Sequence, residues 1–286
     1  MLVFLNGQII KEEDAKISIS DLSYQFGYGI FETIRCEEGV PLFFEAHYKR
    51  LTKGAKEVGM PFPIEINEVK DWLISVLTAN KINNARVKIL ISKRLELGAE
   101  KFNVLITPTA VMPLLETYSL LGKYIYRDPR AFSFVHKTTS RADSYIAYKE
   151  ANEAGFNDAL FINEKNELIE CSRANIFLVL GDRIITPELT TGILSGVTRN
   201  IILDICKKEN IILEEKKANT LYLNRANDVF ITNAIIGIMP IAKIKLEEKE
   251  HTYSSRNQLV SNLQIIYKNF SKSYILENKK TKTQIK

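Results

Sequence analysis

Residues 132–178 constrain the fold of this chain more than any other stretch. They read FSFVHKTTSRADSYIAYKEANEAGFNDALFINEKNELIECSRANIFL. Phe132-Ser133-Phe134-Val135-His136-Lys137 is a short alternating run, and it predicts a strand ending on a lysine. A helical pattern follows through Ala142, Ile146 and Ala147 to Ala154, and Gly155 stops it. Two strand-like runs come next, at 158–162 and 175–180, with Glu170 between them. Strand, helix and strand in such close succession exclude an all-helical or all-β chain. By themselves Lys137 and Glu170 are ordinary: most lysines are solvated, and a carboxylate between strands often only decorates a turn. They can also be parts of one site. A lysine amine can form a Schiff base, and a carboxylate can hold a proton on a ring nitrogen.

The remaining pattern is mixed in the same way. Apolar runs flank Asn6-Gly7, the strongest short hairpin signal. Residues 18–28 are polar and turn-rich. Residues 30–36 alternate, and Gly39 with Pro41 turns the chain toward Leu42, Phe43 and Phe44. Helices are predicted at 45–58, ending at Gly59, and at 68–79, with Val69, Trp72, Leu73, Val76 and Leu77 on one face. Strands are predicted at 86–92 and 102–107. Val111-Met112-Pro113-Leu114-Leu115 breaks the pattern, and new strands start near Tyr118. Later elements are a strand at 183–186, a helix at 197–208, a strand at 228–232 and a helix near 257–267. Strands and helices without regular alternation predict an α+β fold.

Composition enters through what it excludes. The three cysteines, Cys36, Cys171 and Cys206, are far apart and odd in number. They offer neither a disulfide framework nor a zinc motif, which fits a reducing cytoplasm. No apolar run approaches the ~20 residues of a membrane span, and the start, which contains Asn6-Gly7 and is followed at once by charges from Lys11, is not expected to be a signal peptide. The net charge of +5 is carried largely by the lysines at 279–286. No basic face with interleaved aromatics accompanies it, so a nucleic-acid partner is not expected.

Several local motifs are ambiguous when taken singly. Gly27-Tyr28-Gly29 is a lone G-x-G and reads most simply as a turn. His47, His136 and His251 are isolated, so a metal site is not expected. Ser195-Gly196-Val197-Thr198 opens an amphipathic helix. Ser195 as N-cap is the plain reading; an anion site at the helix start is the functional one. Arg50, one turn after His47, is either a surface arginine or a phosphate clamp.

The order of these motifs is more informative than any one of them. F-G-x-G-x-F-E-T-x-R stands at 26–35, H-x-x-R-L at 47–51, then Lys137 before a helix. E-x-S-x-x-N-x-F follows at 170–177 and G-x-L-x-G-x-T-R at 192–199. Through residues 2–245 this resembles the class IV (fold-type IV) pyridoxal-phosphate enzymes: branched-chain and D-amino-acid aminotransferases and 4-amino-4-deoxychorismate lyase. The resemblance implies a smaller N-terminal α/β domain and a larger C-terminal domain with a β-barrel-like core. In this chain they would fall at 1–113 and 121–270, with a linker at 114–120 and a basic, frayed tail at 271–286. It implies pyridoxal 5'-phosphate between the domains and a homodimer with the active site near the interface. Lys137 would hold the cofactor as a Schiff base, and Glu170 would keep its pyridine nitrogen protonated. Arg50, Val197 and Thr198 would hold the phosphate, Leu194 would back the ring, and Asn233 and Ala234 would add phosphate contacts.

Three features are similar to the lyase: Lys137-Thr138-Thr139-Ser140-Arg141, Thr33 within Phe31-Glu32-Thr33-Ile34-Arg35, and the run from Asn233 to Ile241. Tyr28 stands where the family usually has aspartate, and the lyase R-G-x-G-x-R-G run is absent. Lys93 and Arg94, in the run from Ser92 to Gly98, are candidate carboxylate binders. Tyr28, Phe31, Thr33, Arg94 and Arg141 are therefore the expected substrate residues. The expected substrate is a small-molecule amine. Lyase formation of p-aminobenzoate and pyruvate comes first. An aminotransferase of branched-chain or D-amino acids with 2-oxoglutarate comes second, and a cofactor-bound, non-catalytic homologue third.

Overall fold

Asn6 and Gly7 both take positive φ, 51° and 94°, as the two central residues of a type I′ hairpin must. They join β1 (Leu2–Leu5) to β2 (Gln8–Lys11). The structure is a computed structural model that describes residues 1–96, 99–126 and 128–283. The chain divides into two compact units. The first comprises Met1–Met112, His136–Ser140 and Phe270–Lys286. The second comprises Pro113–Val135 and Arg141–Asn269. Two segments distant in sequence therefore belong to the first unit, which a linear division of the chain does not contain.

After the hairpin the first unit continues with α1 (Leu22–Phe26), β3 (Gly29–Glu37) and β4 (Val40–Pro41). Helices α2 (Phe44–Glu57) and α3 (Ile66–Ala79) follow, then β5 (Ala85–Glu96) and β6 (Ala99–Ala110). The strands form one antiparallel sheet in the order β2-β1-β6-β5-β3-β4. Strand β3 alternates with period two. Ile30, Glu32, Ile34 and Cys36 are buried, while Phe31, Thr33, Arg35 and Glu37 are half-buried. The buried face packs with Leu51, Ala55, Leu73 and Val76 in the unit's core. Leu97 and Gly98, at the end of the expected carboxylate-binding run, lie outside the described residues.

The second unit begins with β7 (Tyr118–Tyr124), which starts inside the expected linker. Residues 132–137 do not form the expected strand; Phe132–Val135 is a short helix, α4. Asp128 explains the change. Its side chain accepts from the backbone N–H of Arg130, and Ala131 then accepts from Phe134 and Val135. An Asx turn carrying Pro129 thus starts a helical turn before alternation can act. The unit continues with α5 (Ala142–Glu153), β8 (Asp158–Ile162), β9 (Leu168–Cys171), β10 (Asn175–Leu180) and β11 (Arg183–Thr186). Next come α6 (Val197–Lys208), β12 (Ile212–Glu215), α7 (Leu221–Arg225), β13 (Asp228–Asn233), β14 (Gly237–Leu246) and β15 (Lys249–Thr252). Its strands join in one mixed nine-stranded sheet, with parallel pairs at β11/β12, β14/β7 and β7/β8.

The last element, α8 (Gln258–Thr283), replaces most of the expected frayed tail. Gln284, Ile285 and Lys286 lie outside the described residues. Within the first unit the Phe270 ring stacks on Phe43 at 5.5 Å. Lys70 donates to Asn278 at 3.0 Å and Lys279 pairs with Glu38. Ser271 and Ile275 are buried. The lysine run hid a helical face formed by residues 270, 271, 274 and 275.

Candidate active site

The first unit places Lys137 along the start of β3. Phe31 N–H donates to the Lys137 carbonyl at 2.9 Å, and Thr139 N–H donates to the Gly29 carbonyl at 2.8 Å. Thr138 bridges to Ile30. The lysine thus rides on a short added strand rather than ending one of its own. Its Nζ stands 4.7 Å from the centroid of the Phe31 ring. Gly29 is required here, because a Cβ would come within 2.8 Å of Ser23 Oγ and 3.0 Å of Thr139 Oγ1.

Beneath Phe31, on the buried face of β3, Glu32 organises a charged cluster. Arg50 Nε and Nη2 donate to its two carboxylate oxygens at 2.7 Å each. His47 Nδ1 contacts the same carboxylate at 2.7 Å. His47 and Arg50 are one helical turn apart on α2 and so face Glu32 together. Burial alone would raise the Glu32 carboxyl; the Arg50 charge and the bonds from His47 and Arg50 outweigh it and hold it far below the usual carboxylate range. Burial pushes the His47 imidazole down, against the pull of Glu32. Glu32 and His47 were visible in the F-E-T-x-R and H-x-x-R spacings but were not singled out; their signal was a glutamate at an inward strand position.

The second unit supplies a different set. Glu170 is buried on β9. Its Oε2 accepts the Leu194 N–H at 3.0 Å and faces Asn175 Nδ2 at 3.4 Å. Asn175 also donates to the Leu194 carbonyl at 2.9 Å, so Leu194 is fixed at both backbone groups. Gly196, not Ser195, is the N-cap of α6, and no side chain caps this helix. A Cβ on Gly196 would fall 2.1 Å from Asn175 Oδ1. Thr232 is the cross-strand partner of Asn175. Thr198 and Thr232 are both buried, and their hydroxyl oxygens have no hydrogen-bond partner among the described residues. Buried hydroxyls without partners are uncommon. Two of them beside an uncapped helix start have the chemistry of an anion cradle. These residues fit a phosphate-bearing cofactor: Thr198, Thr232 and the helix start suit the phosphate, and Glu170 suits a protonated ring nitrogen.

The other expected residues have their own local partners or positions. The Tyr28 hydroxyl donates to the Val58 carbonyl at the C-terminal end of α2. Lys93 donates to the Gly59 carbonyl, and Arg94 to Asn103. Asn103 and Ser92 both donate to the fully buried Asp21 carboxylate. Arg141 precedes α5 and donates to the Ser172 carbonyl at 2.9 Å. Asn233 Oδ1 accepts from the N–H groups of Ile235 and Ile236, and its amide donates to Arg173, so it shapes the turn holding Ala234. Val197 is the buried first residue of α6. Thr33 lies half-buried on the open face of β3. Arg199, next to Thr198, is almost fully buried and pairs with Glu215 at 2.6 Å.

The sequence profile of amino-transferase class IV matches residues 29–244. The aminodeoxychorismate lyase of Bacillus subtilis is 29% identical over 289 residues, covering 96% of this chain and 97% of its own. A D-alanine aminotransferase of Staphylococcus epidermidis is 28% identical over 255 residues, covering 85% of this chain and 88% of its own. Among solved structures, the branched-chain amino acid aminotransferase of Escherichia coli superposes with a TM-score of 0.84 at 20% identity, over 94% of each chain. That likeness establishes the expected α+β fold.

Proposed function

We propose, from the premise that this chain belongs to the class IV aminotransferase family, that it converts 4-amino-4-deoxychorismate to p-aminobenzoate and pyruvate. The family is pyridoxal-phosphate dependent, and this chain is an enzyme of that type. The observation that carries the lyase reading is the end-to-end match to the Bacillus subtilis lyase, 96% of this chain against 97% of that one. The Lys137 to Arg141 motif supports it. Arg141, expected to contact the substrate, also donates from the start of α5 to the Ser172 carbonyl.

When bound, the cofactor supplies an electron sink for the carbon that loses a proton. Lys137 would hold it through Nζ, and the Lys137 amine, once free, would take the proton from the amine-bearing ring carbon. Glu170 would keep a proton on the pyridine nitrogen, and Leu194 would back the ring. Arg50, Val197 and Thr198 would hold the phosphate, with Asn233 and Ala234 as further phosphate contacts. The C–O bond to the enolpyruvyl group breaks, pyruvate departs with a proton, and aromatisation drives the step.

The second reading is amino-group transfer from a branched-chain or D-amino acid to 2-oxoglutarate, favoured by the match to D-alanine aminotransferase. Lys137 would then take the proton from the substrate Cα. We read the protein as a cytoplasmic homodimer with its active site near the interface. Ile17, Ile19, Tyr24 and Phe26, exposed on one short segment of the first unit, support a buried partner surface. Sedimentation at micromolar concentration tests the dimer; a monomer there contradicts it. The deciding assay offers aminodeoxychorismate and, separately, branched-chain and D-amino acids with 2-oxoglutarate. Formation of p-aminobenzoate is expected. Keto acid without p-aminobenzoate selects the aminotransferase. Neither product, with cofactor bound, selects the non-catalytic homologue.

A further inference from the structure

The last turns of α2 hold the Lys137 strand from two sides. His47, Arg50, Gly54 and Glu57 follow one another at three- and four-residue steps, so they share one face of this helix. His47 and Arg50 meet Glu32 on that face. Gly54 is buried, and a Cβ there would lie 3.6 Å from His136 Nδ1 and 3.8 Å from Ile30 Cδ1. The imidazole ring and β3 therefore lie against the helix backbone at this point. Three residues on, Glu57 Oε2 stands 3.1 Å from His136 Nε2. Burial holds the imidazole below its ordinary range, against the pull of Glu57, and Lys53 adds to the lowering. The contact needs no charge on the ring, because a neutral imidazole with its proton on Nε2 donates the same bond. The second hold passes through residues 27–29. The Tyr28 hydroxyl donates to the Val58 carbonyl, and Lys93 Nζ donates to the Gly59 carbonyl at 3.2 Å. Gly29 accepts from the Thr139 N–H, and a Cβ on Gly27 would fall 3.0 Å from Ser140 Cα. Residues on both sides of Lys137 are thus tied to the end of one helix: His136 directly, Thr139 and Ser140 through the glycine loop.

A lysine amine sits on a flexible four-carbon stem. Where it can react is therefore set largely by where its backbone is fixed. Two groups must be in register for the cofactor to be captured, the amine of Lys137 and the arginine that holds the phosphate, and both belong to the first unit. We propose that His136 is a positioning residue: through Glu57 it fixes the Lys137 backbone against the helix that carries Arg50, and so sets the reach of Nζ to an aldehyde whose phosphate Arg50 holds. In the capture itself a bond forms between Nζ and the aldehyde carbon. Two amine protons leave with the aldehyde oxygen as water, and nothing is oxidised or reduced. The inference rests on the assignment of Lys137 as the covalent lysine and of Arg50 as a phosphate residue. It gives His136, isolated in the sequence, a role that needs no metal. It also separates two jobs on one helix face, since Glu32 orients Arg50 while Glu57 orients the lysine strand.

The test follows capture of pyridoxal phosphate by the full-length protein freed of cofactor, read as growth of the covalent visible absorption band. His136→Leu removes the contact from one end and Glu57→Ala from the other. Each should slow capture about tenfold or more, because a small displacement of a reacting group is costly in rate. The double variant should match the slower single one within about twofold, since both changes delete the same contact. His136→Gln places an amide nitrogen near the position of Nε2, keeps a donor for Glu57 and should restore most of the rate. In the Lys137→Ala background no covalent bond forms, and fluorescence titration reads the non-covalent affinity for pyridoxal phosphate alone. There His136→Leu should change the affinity by no more than about twofold, as expected of independent sites. A His136→Leu protein that captures at the wild-type rate overturns the proposal, and so does a double variant whose losses multiply. An equal loss of non-covalent affinity also overturns it, because the histidine would then support the fold in general. A wild type that forms no covalent band rejects Lys137 as the covalent lysine; a band that forms without regard to His136 rejects the positioning role alone.

Discussion

At the scale of single residues, the informative groups are those whose chemistry is unfinished within the protein. Thr198 Oγ1 is buried without a partner, so Thr198→Val deletes a polar atom that stabilises nothing in the unliganded protein. Its stability should stay within about 1 kcal/mol of wild type or rise, measured by urea unfolding of the apoprotein. Cofactor affinity, followed by fluorescence titration, should fall about tenfold or more, because one phosphate hydrogen bond is lost. Glu32 and His47 set a second, pH-dependent expectation. The folded-state pKa of Glu32 is depressed from 4.5, so its stabilisation is complete above that value and is lost as pH falls toward the folded-state pKa. The folded-state pKa of His47 is also depressed, from 6.5. The unfolded chain therefore binds more protons below pH 6.5, and stability falls on acidification there too. His47→Gln should flatten the decline in the urea midpoint between pH 7 and pH 5, and Glu32→Gln the decline below pH 4.5. Parallel curves for wild type and both variants would contradict the burial of these groups. The motif order named Lys137, Glu170 and Arg50, while the cluster of Glu32, His47 and Arg50 shows only in the fold, because a glutamate in an alternating strand reads the same whether it faces water or an arginine.

At the scale of elements, α2 carries His47 and Arg50, yet its own start is poorly made. Its N-cap is Phe43, in the left-handed region at φ 54°, and contributes no side-chain cap. The Tyr274 hydroxyl of α8 serves instead: it accepts the Phe44 N–H at 3.1 Å and donates to Glu45. Tyr274→Phe keeps the ring contact with Phe43 and removes only the cap. It should cost about 1 kcal/mol, the usual worth of a helix cap, and speed hydrogen exchange at the Phe44 amide. Unchanged exchange there would deny Tyr274 this role. Helices α2, α3 and α6 fell close to their expected limits because each combines a 3.6-residue apolar period with a glycine or turn at its end. The strand expected at 132–137 became α4 because one Asx turn overrode a six-residue alternation. Short patterns are weak against a local hydrogen bond of known geometry.

At the scale of the molecule, cofactor binding should couple to stability. A ligand that binds only the folded state at one hundred times its Kd adds about 2.7 kcal/mol, so the urea midpoint should rise on saturation with pyridoxal phosphate. Lys137→Ala should lose the covalent visible absorption band while keeping part of that rise through the phosphate contacts; complete loss of both would place the phosphate site elsewhere. Sequence alone determined the α+β class, the hairpin and the main helices, and its motif order named candidate cofactor residues. These depend on local periodicity and on motif order, both of which are properties of a linear chain. Only the tertiary structure decided what surrounds those residues. It set Glu32 under Arg50 and His47, moved the segment of Lys137 into the first unit beside Phe31, and gave the tail of the chain to α2. Burial, register and the partner of a charge are decided by residues far apart in sequence, and no local pattern encodes them.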